Sequence, residues 1–200
     1  MMVSRMWVSG LCAILAVPGA LAAQPAAQPA APAAPAHVAV PVIAVRPEDV
    51  SSIEAIVKAD YECISGAVGV ARQWSRDLTL YDPNARFFEA STDPKTHVLK
   101  TWTPSQQEYT DATDAQFVKA GFIEHEVAHK IFRYGNIATV FSSYESKLAS
   151  SDKFTAQGIN AYQLYFDGKR WWISSVSWDG NLDPSAIPAD LRRPESPASH

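Results

Sequence analysis

Two turn dipeptides set what the second half of this 200-residue chain can become. Gly135-Asn136 separates Val127–Tyr134 from Ile137–Tyr144, and Asp167-Gly168 separates Ile159–Phe166 from Lys169–Trp178. The flanking runs are rich in β-branched and aromatic residues, and each dipeptide supplies the backbone freedom that a two-residue hairpin loop demands. Two consecutive hairpins make an antiparallel meander. The first half reads differently. Val50, Ile53, Val57 and Ile64 recur at helical spacing after Pro47-Glu48-Asp49, with Lys58, Asp60 and Glu62 off that stripe, and Gly66 and Gly69 end the helix. A second short helix is expected over Val70–Arg76, carrying Trp74. Leu78–Tyr81 is a brief strand-like run stopped by Asp82-Pro83, and residues 83–103 read as irregular. Thr103-Pro104-Ser105-Gln106 marks a helix start, with Thr103 as N-cap and Pro104 at the first helical position; Gly121 is its stop. Helices followed by a meander give an α+β fold. A curved antiparallel sheet laid on the N-terminal helices would enclose a pocket, the usual place for a small ligand.

The N-terminus carries the three parts of an export signal. Arg5 is the positive region, Leu11–Val17 the apolar run, and Ala20-Leu21-Ala22 the small-residue site, so residues 1–22 are expected to be a signal peptide cleaved after Ala22. The apolar run falls short of the roughly 20 residues a spanning helix requires, so no stable membrane span is expected after processing. Cys12 lacks the small preceding residue of a lipoprotein signal. Residues 23–46 are Ala/Pro-rich and read as a disordered linker. The folded domain is expected over 47–185, with a flexible tail over 186–200. Its expected location is periplasmic or secreted.

Removal of the signal would leave 16 basic and 21 acidic residues, a net charge of −5. That balance, without any basic stripe, argues against nucleic acid as a partner. Cys63 would then be the lone cysteine, so no internal disulfide frames the fold, and it reads as a buried helix residue. Six Trp, seven Tyr and eight Phe promise an aromatic core instead.

His125-Glu126-Val127-Ala128-His129 matches the zinc-protease pattern H-E-x-x-H. That pattern works on a helix, where the imidazoles lie one turn apart. On a strand they would stand about 13 Å apart, too far to share an ion. Gly121 before and Gly135-Asn136 after point to a strand, and the only later histidine is His200, so no metal is expected and a zinc hydrolase is the remote alternative. Simple alternation would put Ile123, His125, Val127, His129 and Ile131 on one face. His125 and His129 are thereby candidate polar groups of the pocket.

The order of elements resembles the nuclear transport factor 2-like superfamily, especially its exported polyketide-cyclase-like (SnoaL-like) members. The run Gly158–Ile173 is the most specific stretch, followed by Phe122-Ile123-Glu124 and Tyr134–Ala138. The resemblance covers residues 47–182. It implies a cone-shaped α+β barrel with a hydrophobic pocket, often dimerising through its sheet, and activities that range from isomerase and dehydratase to none known. Against the ketosteroid isomerase pattern, Asp82 falls where the general base lies and Tyr61 close to the oxyanion-stabilising tyrosine. The second oxyanion donor, an aspartate, has no counterpart in Ile159-Asn160-Ala161-Tyr162, where Asn160 or Tyr162 would have to serve. Trp102 and Trp178 are candidate pocket walls. The expectation is an exported small-molecule-binding domain that uses no cofactor and takes a small apolar molecule, with an Asp82-dependent isomerase, lyase or hydrolase and a sheet-mediated interaction or homodimer module as alternatives.

Overall fold

The apolar stripe of the first half forms helix α1, Ile53–Ile64, after a single 3-10 turn at Pro47–Val50. Ser52 caps α1 by accepting the Ala55 amide at 3.0 Å. The structure, a computed structural model, describes residues 36–93, 95–180 and 184–193. The expected signal peptide, residues 23–35 of the expected linker and residues 194–200 lie outside the described residues.

Three local expectations change. Helix α2 runs over Trp74–Leu78, later than the expected Val70–Arg76. Asp82-Pro83 does not stop the first strand: β1 continues over Tyr81–Thr92, and β2, Leu99–Trp102, pairs with it in the region read as irregular. Proline is tolerated because the register slips between Tyr81 and Arg86, a bulge where no ladder donor is needed. The Asn84 amide donates to Asp82 Oδ1 across that bulge at 2.8 Å. Helix α3, Gln106–Ala120, is capped by Ser105, not Thr103. Ser105 Oγ accepts the Glu108 amide and the Ser105 amide donates to the Glu108 carboxylate at 2.7 Å, a reciprocal pairing that Thr103 lies too early to make. Gly121 ends the helix at φ 66°, a left-handed backbone that favours glycine.

The two hairpins form as expected. β3 (Phe122–Tyr134) pairs with β4 (Ile137–Leu148), and β5 (Ala156–Phe166) with β6 (Trp171–Asp179). The six strands are ordered β2-β1-β6-β5-β4-β3. Every pairing is antiparallel except β1 with β6, which is parallel because the α3 excursion separates them in sequence. The curved sheet is mixed and keeps two free edges, so it does not close into a barrel. One face, carrying Val140, Tyr162, Leu164 and Ile173, packs against Ile56, Val57 and Tyr61 of α1. The opposite face leaves Phe132, Tyr134, Ile137 and Phe141 exposed.

Both flanks are more structured than their composition suggests. Residues 36–46, expected to be linker, lie extended with the Val38 amide donating to Asp111 at 2.8 Å and its carbonyl accepting from Gln107 at 2.9 Å; Val45 reaches the core. Beyond residue 185, where a flexible tail was expected, a 3-10 turn at Ala189–Leu191 buries Leu191, whose carbonyl accepts the Ser143 hydroxyl at 2.6 Å. Cys63 is buried, and desolvation pushes its thiol pKa up, which leaves it inert as a nucleophile. Among the described residues no helix is long and apolar enough to cross a membrane.

Candidate functional site

Between the helices and the sheet lies a cavity of about 270 Å³. Its aromatic walls centre on Tyr109 of α3, whose ring sits 6.1 Å from Trp102, 5.8 Å from Trp178 and 5.2 Å from Phe87. Phe117 and Phe122 stack at 4.4 Å beside them. Four acidic side chains also line it, Asp60, Asp77, Glu89 and Glu124, and no lysine, arginine or histidine does among the described residues.

Asp60 and Asp77 are both buried and hydrogen-bond to each other. Burial raises both carboxyls, and for Asp77 the neighbouring Asp60 charge raises it further. Asp60 accepts the Tyr81 hydroxyl at 2.6 Å and the Tyr162 hydroxyl at 2.7 Å, contacts that favour its ionised form. Two adjacent buried carboxylates resist double ionisation, so the pair retains a proton above the usual carboxylate range, and the tyrosine hydroxyls favour the charge on Asp60. Gln106 donates to the other side of Asp77 at 2.7 Å.

Glu124 is the second perturbed acid. Burial pushes it up to about 8, against an opposing hydrogen bond from Asn160. That bond, at 3.3 Å to Oε1, is its one side-chain hydrogen bond among the described residues, so Oε2 of this cavity-lining side chain has no donor among them. The Tyr109 hydroxyl likewise has no hydrogen-bond partner among the described residues.

A chain of hydrogen bonds runs away from this wall. Asn160 Nδ2 donates to Tyr61 at 3.1 Å, Tyr61 donates to Ser142 at 2.7 Å, and Ser142 donates to Glu126 at 2.6 Å. Glu126 then meets His129 Nδ1 at 2.6 Å, near the surface. Tyr61 is thus a buried strut behind the cavity, not part of its lining.

The structure brings Trp102, Trp178, Asn160 and Tyr162 to the cavity and leaves the other expected site residues elsewhere. The two histidines do not share a face. Val127 is the extra residue of a bulge, so His125 pairs with Glu145 and His129 with Ser142, which point to opposite sides of β4. His125 packs edge-on against Phe154, 4.6 Å away, on the outer face. His129 lies on the inner face but beyond the cavity. Among the described residues no three His, Cys, Asp or Glu side chains come together as a metal site needs.

Asp82 and Tyr61 are also separated. Asp82 borders an apolar groove of about 640 Å³ between the N-terminal segment and the β1 bulge, with exposed Val42 and Ile43 on one rim and Trp172 on the other. It accepts the Tyr165 hydroxyl at 2.6 Å, and that bond, followed by the Asn84 amide, holds its carboxyl below the usual range. A carboxylate lowered in this way is a weaker base. The groove is the larger space, but its carboxylate is already engaged. The cavity is where the unengaged and proton-holding groups face.

Asp60, Asp77, Glu89, Glu124 and Tyr109 were not singled out from the sequence. Asp60 lies off the apolar stripe by residue type, yet it stands three residues after Val57 and four before Ile64. A charged residue in phase with a buried stripe was the available signal. Glu124 carried a similar one, two residues after Phe122 on a strand with an inner face.

No protein-family model matches the sequence, and no curated protein matches it. Solved structures do. An NTF2-like protein of unknown function from Pseudomonas putida KT2440 superposes with a TM-score of 0.50 at 11% identity, over 74% of this chain and 95% of that one. A protein of unknown function with a cystatin-like fold from Nostoc punctiforme PCC 73102 gives 0.49 at 10% identity, over 66% and 90%. An NTF2-like protein of unknown function from Methylobacillus flagellatus KT gives 0.44 at 12% identity, over 66% and 95%. Similarity at this level is similarity of fold.

Proposed function

We propose that this chain, which has the nuclear transport factor 2-like fold, is a small-molecule-binding domain that acts outside the cytoplasm. One observation carries the binding reading: a cavity of about 270 Å³ walled by aromatic rings, into which Glu124 and Tyr109 present polar atoms that no described residue engages. Concave, mostly aromatic sites with a few convergent polar groups suit small ligands. The export reading rests on Arg5, Leu11–Val17 and Ala20-Leu21-Ala22. The binding reading is tested by titrating a fragment library into 15N-labelled protein. Expected are shifts confined to cavity-lining amides and the Trp102 and Trp178 indole NH signals; a library that moves none of them overturns the reading. Mass spectrometry of exported protein is expected to find a new N-terminus at Ala23.

The Asp60–Asp77 pair supports a second reading, a cofactor-free isomerase, lyase or hydrolase. Here the acid and base are cavity carboxyls in place of Asp82. Two buried carboxyls that share a retained proton are a pairing that general acid–base chemistry uses. Deuterium exchange into carbonyl compounds that bind the cavity, lost in Asp60→Asn, would support it. Exposed Phe132, Ile137 and Phe141 support a homodimer through the outer face of the sheet, which light scattering would check.

A further inference from the structure

Three kinds of ligand can be weighed against this cavity. An anion would meet carboxyl groups and, among the described residues, no basic side chain, so no countercharge offsets its desolvation and each ionised carboxyl repels it. A wholly apolar molecule would leave Glu124 Oε2 and the Tyr109 hydroxyl without partners, a cost that a ligand with a polar head avoids. A cation meets the opposite conditions. The rings of Phe87, Trp102 and Trp178 each contact Tyr109 with centroids 5.2–6.1 Å away, all four line the cavity, and aromatic rings attract ammonium groups, most strongly when water is excluded. The carboxyls on the same wall supply the countercharge once a bound cation favours their ionisation.

Resting on the small-molecule reading above, we infer that the cavity takes a positively charged ligand: an ammonium group on a small apolar body, held between the Tyr109 aromatic cluster and Glu124. Binding is linked to a proton. Glu124 holds its proton up to about pH 8 in the empty site, and a cation beside it favours release. The groups facing Glu124 are Asp60 and Tyr61 from α1, Tyr109 from α3, Tyr144 from β4 and Asn160 from β5, with Asp77 and Glu89 on the same cavity wall and Glu126 beyond Tyr61. None is basic, so among the described residues nothing in the cavity competes for the countercharge.

Choline, 3,3-dimethylbutan-1-ol and 3,3-dimethylbutanoate share a shape and differ in charge, and calorimetry with all three on the intact protein tests the inference. Choline is expected to bind at least tenfold tighter than the alcohol, and the carboxylate not at all. Choline does not titrate in this range, so its affinity is expected to rise from pH 6 to pH 9 as Glu124 ionises. Glu124→Gln should flatten that rise and narrow the gap between choline and the alcohol to under threefold. Equal or tighter binding of the alcohol overturns the cation inference and leaves the small-molecule reading standing. Binding by none of the three also overturns it, and the fragment titration then decides the broader reading independently. Choline binding that leaves the Trp102 and Trp178 indole signals unmoved would place the site elsewhere and overturn it too.

Discussion

Tyr61 illustrates how much a single side chain's role depends on its neighbours. Its hydroxyl donates to Ser142 and accepts from Asn160, all three in the protein interior, so it fixes α1 to β4 and β5. Tyr61→Phe should therefore cost about 1–3 kcal/mol by removing one buried hydrogen bond from each of those two partners. Urea unfolding would show the lowered midpoint, and an unchanged midpoint would mean the strut is not under load. Glu124 makes the opposite kind of contribution. Its pKa rises from 4.5 to about 8 on folding. Below pH 4.5 it is protonated in both states and costs nothing. As pH climbs, the unfolded chain gives up the proton while the folded protein keeps it, so stability falls until about pH 8. Glu124→Gln removes that loss. The wild type should lose on the order of 2 kcal/mol more than the variant between pH 5 and pH 8, water in the cavity moderating the effect. Parallel slopes for the two proteins would refute the assignment.

At the scale of elements, the turn dipeptides and helix stops were legible because their signals are local. Gly135-Asn136, Asp167-Gly168 and Gly121 all end or turn the chain where their residue types require it. What was not legible are the places where an element pays attention to a distant partner. Asp82-Pro83 breaks a strand by its own preferences, but pairing with β6 carries β1 through it by means of a bulge. The Val127 bulge in β3 is similarly silent in sequence, and it decides which face each histidine takes. Helix α3 depends on its cap. Ser105→Ala removes the acceptor for the Glu108 amide and should cost about 1 kcal/mol. Because α3 carries Tyr109, differential scanning calorimetry should show a lower melting temperature, and the Trp102 and Trp178 environments should loosen with it.

The molecule as a whole extends past the boundaries its composition suggests. Residues 36–46 hydrogen-bond to α3 through Val38 and place Val45 against the core. A chain that begins at Pro47 should lose about 2 kcal/mol from the burial and bonds removed; an unchanged denaturation midpoint would show that the segment does not contribute. By itself the sequence determined the α+β class, the two hairpins and the aromatic content, because periodicity and turn chemistry act over a few residues. It also held Trp102, Trp178, Asn160 and Tyr162, all of which reach the cavity. Only the tertiary structure decided that Asp60 and Asp77 meet, that Glu124 faces inward and that Asp82 and the histidines stand apart. Those outcomes depend on strand register and on burial, and burial sets the proton affinity of a carboxyl in a way that no neighbouring residue in the sequence can announce.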